Sequence, residues 1–240
     1  MLRFDNVTRT YGSRVAVDHF NLSLERGELF ALLGHNGAGK TTTIKMLVGL
    51  LNPTEGAIYV GPYNVTEHPR EVSRLIGYVP DSPFLYDKLS GREFLRFVAD
   101  MYGMSDATAK SAVSRESERF QLGDFLDQLT ESYSHGMRQR TVFAAAMIHE
   151  PVILVVDEPM VGLDPHSIRL VKDLLRNYAS SGHVVLMSTH TLTVAEEIAD
   201  RVGVMRSGQV VFEGNVEALR ATMPAAGHSL EALYLALMET

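Results

Sequence analysis

The sequence contains no cysteine among its 240 residues, so neither disulfides nor thiolate metal sites contribute to its structure. That absence suits a reducing compartment without proving one. The chain also lacks a basic excess, because 22 Lys and Arg stand against 29 Asp and Glu, a net charge of -7. This balance argues against a protein that depends on a broad basic surface for nucleic acid, although it is compatible with a local basic patch.

Long apolar runs are missing as well. No run reaches the roughly 18 residues that a membrane-spanning helix needs. The N-terminal MLRFDNVTRTYG has no apolar segment typical of a secretion signal. We therefore expect a chain that is soluble by itself and that another protein must hold if it works at a membrane. With 45% hydrophobic residues, it can bury one sizeable core, as one large domain or as a domain with an inserted subdomain.

Three short apolar runs, at residues 29–33, 152–156 and 184–187, predict buried strands. Their nearly continuous apolar character is typical of a parallel sheet that is covered on both faces. Polar residues follow each run at once, and open α/β sheets bind ligands at the carboxyl ends of their strands. The sequence therefore predicts an α/β fold with one shared site at that edge of the sheet.

Other segments break this pattern. About the first 30 residues and residues 56–60 predict short strands that are separated by turns. Residues from about Ser90 to His149 have helical character and predict an inserted helical subdomain. The tail, SLEALYLALMET, has the spacing of a short amphipathic helix that packs on its own domain.

The strongest motif is GHNGAGKT, residues 34–41, which fits G-x-x-x-x-G-K-[ST] at every fixed position. Its glycines let the backbone curl, so that successive N–H groups and the next helix's N-terminus face phosphate oxygens. Lys40 would reach the β- and γ-phosphates, and Thr41 would ligate Mg²⁺. A glycine-rich turn without a ligand is the alternative, but the full pattern between a strand and a helix favours a nucleotide. The predicted nucleotide contacts are Gly34, His35, Asn36, Gly37, Ala38, Gly39, Lys40, Thr41 and Thr42.

Acidic and imidazole groups follow the other two apolar runs. In VILVVDEP, Asp157 fits a magnesium partner, and Glu158 beside it could polarise a water for attack on the γ-phosphate. His190 can donate to the γ-phosphate and orient that water. An acidic pair or a lone histidine more often has no catalytic role, so these assignments depend on the phosphate loop.

In order and over essentially the whole chain, these motifs resemble those of an ATP-binding cassette (ABC) ATPase. Residues 34–41 match the Walker A loop, 152–158 the Walker B strand with its catalytic glutamate, 162–165 the D-loop and 188–190 the H-loop. Tyr11 stands where the family stacks an aromatic ring on adenine, although a packed aromatic in an N-terminal strand is a competing interpretation.

The resemblance implies a P-loop NTPase fold in a single domain, residues 1–240. It has a RecA-like core with a mostly parallel sheet, an N-terminal antiparallel β subdomain and an inserted α-helical subdomain. Residues 1–86 and 151–240 would form the nucleotide-binding core with the β subdomain, and 87–150 the helical signature subdomain.

The family signature LSGGQ corresponds here to Tyr133, Ser134, His135, Gly136 and Met137. The serine and the second glycine are kept, whereas histidine replaces the first glycine and methionine replaces the glutamine. A serine hydroxyl and amides at a helix N-terminus can still grip a phosphate. The bulky histidine is expected to weaken or reshape that grip.

Two partners are implied by the resemblance. A second cassette, identical or not, would pair head to tail, so that Ser134 and Gly136 of one subunit face the γ-phosphate held by Lys40 of the other. A membrane permease would insert a cytoplasmic helix between the helical insert and the segment after Asp81, holding the chain at the inner face of the cell membrane. Asp81 replaces the family's Q-loop glutamine; it can still ligate Mg²⁺ through oxygen, but coupling to the permease is expected to differ.

Two sequence segments, SPFLYDKLSGREFLRFVADMYG and the ending LEALYLALMET, resemble those of ATPase subunits of bacterial exporters for drugs, antibiotics or polysaccharides. Three alternatives stay open. An ABC protein acting on nucleic acid or ribosomes is disfavoured by the single cassette, the acidic balance and the lack of heptads between Lys40 and Ser134. A P-loop kinase would have no reason for the signature, D-loop and H-loop. A regulatory cassette that barely turns over is compatible with the altered signature.

Overall fold

The computed structural model describes residues 1–218, which contain two β-sheets and seven α-helices. The strands are β1 Leu2–Tyr11, β2 Arg14–Leu24, β3 Leu29–Leu33, β4 Glu55–Val60, β5 Tyr63–Asn64, β6 Ile76–Val79, β7 Ile153–Asp157, β8 Val184–Thr189, β9 Arg201–Arg206 and β10 Gln209–Gly214. The helices are α1 Lys40–Leu47, α2 Pro69–Ser73, α3 Gly91–Met101, α4 Asp106–Arg119, α5 His135–Met147, α6 Pro165–Ser180 and α7 Leu192–Ile198. The predicted C-terminal amphipathic helix lies outside the described residues.

The larger sheet has the strand order β10-β9-β3-β8-β7-β6, and only β10 runs antiparallel to its neighbour. Every residue of β3, β7 and β8 is buried, which confirms the predicted mostly parallel sheet with covered faces. In the register, Leu33 lies beside Thr189 and Asp157 beside Ser188. The carboxyl ends of these three strands therefore meet at one edge.

The smaller sheet is antiparallel, in the order β2-β1-β4-β5, which confirms the N-terminal antiparallel subdomain. Its strands β1 and β2 have 10 and 11 residues, so the prediction of short strands was wrong for this hairpin. Many positions of β2 alternate between exposed and buried, because one face of the sheet packs on the core and the other meets solvent. Polar residues therefore interrupt the apolar runs without ending the strand.

The inserted helices α3, α4 and α5 come between β6 and β7, which are direct neighbours in the parallel sheet. Ser90 and Glu93 form a capping box at the start of α3, which satisfies backbone donors at that helix end. Leu95, Phe120 and Phe143 are fully buried, so the three helices share the main hydrophobic core. The fold class is thereby confirmed, while the subdomain limits at residues 87 and 150 stay a prediction.

No helix within residues 1–218 has both the length and the apolar character that crossing a membrane requires.

Candidate nucleotide-binding site

The phosphate loop joins the end of β3 to the start of α1 and has little room around its glycines. Gly39 has a φ of 114°, and a Cβ there would lie 2.5 Å from the carbonyl oxygen of Ala16 in β2. A Cβ on Gly34 would lie 2.6 Å from the carbonyl oxygen of Met205 in β9. The turn between β9 and β10 closes the other side, since the Gly208 N–H donates to the Ala38 carbonyl at 2.9 Å. Both sheets therefore hold this loop.

The ammonium group of Lys40 lies inside this loop and is buried. Its Nζ donates to the Gly34 carbonyl at 2.7 Å and to the His35 carbonyl at 3.3 Å. It also lies 3.4 Å from Oε1 of Glu158, a carboxylate with a side-chain exposure of 14%. A cation that is held at the centre of a curled backbone fits a site for an anionic ligand.

Glu158 links Lys40 to His190. The residue has a φ of 49°, a left-handed conformation that costs a non-glycine residue about 1 kcal/mol or more. Oε2 lies 2.8 Å from Nδ1 of His190 and accepts the His190 backbone N–H at 3.3 Å. The strained backbone thus directs one carboxylate between a lysine and a histidine, as a residue that acts on water near a phosphate requires.

Asp157 ends β7 beneath the loop. Its Oδ1 accepts hydrogen bonds from Ser188 Oγ and, at 3.4 Å, from Thr41 Oγ1. Burial raises the pKa of Asp157, and the nearby carboxylates of Asp81 and Glu158 add to this, while the two hydroxyl groups oppose it.

These groups fit a divalent cation. Oδ2 of Asp157 is buried and has no hydrogen-bond partner within the described part of the chain. A buried carboxylate oxygen without a donor, beside a threonine hydroxyl and a further carboxylate, is a donor set that Mg²⁺ prefers. Burial is the largest cause of the raised pKa of Asp157, and the carboxylates of Asp81 and Glu158 add smaller contributions in the same direction.

A cleft of about 380 Å³ opens over the phosphate loop. It is lined by Tyr11, Arg14, Ala16, His35, Asn36, Gly37, Gly39, Lys40, Thr41, Thr42, Asp81 and Glu158. Gly34, Ala38 and Asp157 lie behind this surface, and His190 contacts it through Glu158. Most of the predicted nucleotide and metal residues are thus brought to one place.

Tyr11 lies at the end of β1 on the rim of this cleft and is 45% exposed. The guanidinium of Arg9 lies over its ring, 4.7 Å from the centroid. The ring is therefore an exposed aromatic group at the site rather than a core residue, as adenine stacking requires.

Ser134 and Gly136 do not line the cleft. Ser134 caps α5, its Oγ accepting the Met137 N–H at 3.3 Å, and its side chain is exposed. The single chain therefore does not bring the signature residues to its own phosphate loop. Both residues lie at the N-terminus of a 13-residue helix, which favours a negative ligand there.

The roles of two residues of this site were not predicted from the sequence. Ser188 donates to Asp157 and accepts the Glu158 backbone N–H at 3.1 Å, which joins the two carboxylate residues. Arg14 lines the cleft next to Gly37. The polar end of the third apolar run and the hairpin position near Tyr11 were signals that could have indicated them.

A separate groove of about 300 Å³ lies between the core and the helical insert. Its wall is mostly apolar and includes Leu50, Phe84, Val98 and Tyr102. Behind it, the ring of His149 stacks on Tyr102 at 3.7 Å, and its Nε2 donates to the Ile76 carbonyl at 3.2 Å.

Comparison with known proteins identifies the family. The model of the family described as "ABC transporter" matches residues 17–161, more than half of the chain. The chain belongs to the ABC transporter family. This ABC protein is 36% identical to the uncharacterized ABC transporter ATP-binding protein YhaQ of Bacillus subtilis, over 92% of this chain and 73% of YhaQ. It is 35% identical to the bacitracin transport ATP-binding protein BcrA of Bacillus licheniformis, over 89% of this chain and 69% of BcrA.

Comparison with solved structures gives the same family. The ABC protein superposes on a structure described as the ATP binding subunit of an ABC transporter with a TM-score of 0.91 and 32% identity, covering 99% of both chains. It also matches the ATP-binding cassette MJ0796, a dimer bound to ADP and Pi, with a TM-score of 0.79 and 25% identity, over 90% of this chain and 98% of that one. The family and these relatives support ATP as the ligand class and do not favour the nucleic-acid and kinase alternatives.

Proposed function

We propose that this ABC protein binds Mg²⁺-ATP in the cleft over its phosphate loop and hydrolyses it as one of two paired cassettes. The released free energy would power a separate membrane permease, in the direction of export. The arrangement of Lys40, Glu158 and His190 at the ends of β3, β7 and β8 carries this proposal, because it joins a buried cation, a carboxylate and an imidazole in one contact chain.

Each of these groups has a distinct task in hydrolysis. The amides of the phosphate loop and Lys40 bind the phosphates, and Glu158 orients and polarises the attacking water. His190, whose Nδ1 lies 2.8 Å from Oε2 of Glu158, can donate to the γ-phosphate and orient the attacking water. Thr41, Asp157 and Asp81 would hold Mg²⁺, which when bound supplies positive charge that offsets the charge on the transferred phosphoryl group.

Without a nucleotide, the ammonium group of Lys40 and the carboxylate of Glu158 lie 3.4 Å apart and neutralise each other. A polyphosphate would compete for the lysine, and Glu158 would then be free to accept a proton from water. Nucleotide binding and activation of the base are therefore linked through one ion pair.

Tyr11 would stack on the adenine at the rim of the cleft.

The second cassette supplies the signature residues that one chain does not bring to its own cleft. Ser134 and Gly136, exposed or partly exposed at the N-terminus of α5, would face the γ-phosphate that Lys40 holds in the partner. Hydrolysis removes the phosphate that bridges the two subunits, and the subunits separate. The size of this shift is set by the difference in contacts to ATP and to ADP.

The apolar groove between the core and the insert would receive a cytoplasmic helix of the permease. Large apolar side chains are exposed there, with Phe84 at 70% and Leu50 at 62%, and neighbouring exposed apolar groups favour contact with a partner protein. An adjoining cavity of about 590 Å³ is lined by Arg70, Arg74 and Asp100. The two arginines favour acidic residues at that end of the incoming helix.

One of these relatives bears on the transport role. The name of the Bacillus licheniformis relative assigns that protein to bacitracin transport, which supports a transport role for this chain. A separate permease would hold the chain on the inner face of the cell membrane. The exporter resemblance of residues 82–103 and of the ending LEALYLALMET favours drugs, antibiotics or polysaccharides as the exported class.

Equilibrium binding of Mg²⁺-ATP to Lys40→Ala tests the proposal, with Lys45→Ala as the matched control, because Lys45 is an exposed lysine on the same helix. We expect the Lys40 variant to lose binding at least about 100-fold and the Lys45 variant to bind as the wild type does. Equal affinity of all three proteins would overturn the proposed site. Affinity purification from solubilised membranes then identifies the permease.

A further inference from the structure

His135 is the first residue of α5 and follows the capping Ser134. Its imidazole reaches across to the turn at residues 158–164, which joins the end of β7 to the start of α6. Nε2 lies 3.0 Å from the carbonyl oxygen of Val161. Because a carbonyl only accepts hydrogen bonds, this nitrogen carries the proton and donates it.

The imidazole also packs against the backbone of this 158–164 turn. Gly162 has a φ of 73°, and a Cβ there would lie 3.1 Å from two atoms of the His135 ring. The next residue of the helix lies close to the same segment, since a Cβ on Gly136 would lie 3.7 Å from Oδ2 of Asp164. The N-terminus of α5 therefore contacts this turn at Val161 and Gly162 and lies close to Asp164.

The turn that His135 contacts begins at the catalytic candidate. The Val161 N–H donates to the Glu158 carbonyl at 3.3 Å, so both hydrogen bonds involve the backbone of Val161. Glu158 itself is held in the left-handed region and pairs with Lys40 and His190. A displacement at the N-terminus of α5 can thus reach Glu158 through the two hydrogen bonds of Val161 and through the short segment of backbone that joins Val161 to Glu158.

We propose that His135 is a positioning residue that ties the signature segment, residues 133–137, to the turn that carries Glu158. This inference rests on the proposed function, in which the signature segment faces the partner's nucleotide. Contact of the signature with that nucleotide would then be transmitted to the glutamate of the subunit's own site. A glycine, which the resemblance to other cassettes places here, has no side chain that could make this link.

The experiment compares three variants of the full chain. His135→Gly removes the link. His135→Gln keeps an N–H donor at a reach similar to that of Nε2, whereas His135→Asn carries the same amide one carbon closer to the backbone. Two quantities are measured: steady-state ATPase parameters, and amide hydrogen exchange of residues 160–164 in the nucleotide-free chain.

Loss of one neutral hydrogen bond predicts that kcat falls about fivefold in the Gly and Asn variants, while the KM for ATP stays within about twofold. Exchange in residues 160–164 should become faster by a similar factor in the same two variants. The Gln variant should approach the wild type in both measurements. A merely structural role of His135 would not separate Gln from Asn in kcat while sparing the KM.

The proposal is wrong if His135→Gly exchanges at the wild-type rate in residues 160–164, or if Gln is as impaired as Gly. It is also wrong if all variants keep the wild-type kcat. A wild-type chain that neither binds nor hydrolyses ATP would instead contradict the proposed function, and the exchange comparison would still decide whether the link exists.

Discussion

Acidification from pH 7 to pH 5 should destabilise this protein through His149. Its Nδ1 is buried and has no partner among the described residues, so a proton there would lack an acceptor. Burial lowers the pKa of His149 from 6.5 to about 4, partly opposed by its hydrogen bond to Ile76.

The lowered pKa of His149 determines the direction in which pH changes the stability of the protein. Between pH 6.5 and about 4 the unfolded chain binds a proton at His149 that the folded chain does not, so stability falls as the pH falls through this window. Above pH 6.5 the imidazole of His149 is neutral in both the folded and the unfolded chain, so it no longer lowers the free energy of unfolding. Integration from pH 7 to pH 5 gives a loss of about 2 kcal/mol in the free energy of unfolding.

Urea unfolding of the full chain at the two pH values measures this loss. His149→Gln keeps an N–H donor for the Ile76 carbonyl and cannot be charged, so it should lose about 2 kcal/mol less than the wild type. The exposed His166 provides the matched control, since His166→Gln should keep the wild-type pH dependence. Carboxylates titrate alike in all three proteins and cancel in the comparison. If the wild type and His149→Gln lose equal stability, the reasoning about the buried imidazole is refuted.

Three further outcomes follow from the site. Glu158→Gln should lower phosphate release at least about 100-fold while ATP binding persists, and gel filtration with ATP should then show a dimer; an active monomer would contradict the paired mechanism. Ser188→Ala removes the hydroxyl that donates to Asp157 and accepts the Glu158 backbone N–H, so half-maximal ATPase should need about tenfold more Mg²⁺. Gly39→Ala should cost at least about 2 kcal/mol in urea unfolding, whereas Gly49→Ala, which has a φ of 75° but no neighbour within 4 Å, should cost clearly less.

Much of the core could be predicted from local sequence. The bounds of β3 were predicted correctly, because five consecutive apolar residues end at a glycine motif whose spacing is specific to phosphate binding. β7 and β8 extend to Asp157 and Thr189, beyond the predicted runs, because polar residues continue the backbone ladder after the apolar run has ended. Apolar character marks the buried part of a strand but not its hydrogen-bonded end.

What was missed depends on pairing between distant segments. The role of Ser188 arises from its register with Asp157, and sequence spacing alone does not set which residues of two strands lie side by side. The contact from His135 to Val161 likewise requires that α5 and the 158–164 turn approach in space. From the sequence, the histidine was predicted only to disturb phosphate binding.

The close approach of Ala16 to Gly39 limits how this protein can be engineered. The β1–β2 hairpin is not a detachable module, since its backbone forms the outer wall of the loop at the start of α1. A shortened chain that begins at β3 would leave that wall open to solvent. Chimaeras that exchange the hairpin with a relative would have to keep the path of the chain at residue 16 to within a few tenths of an ångström.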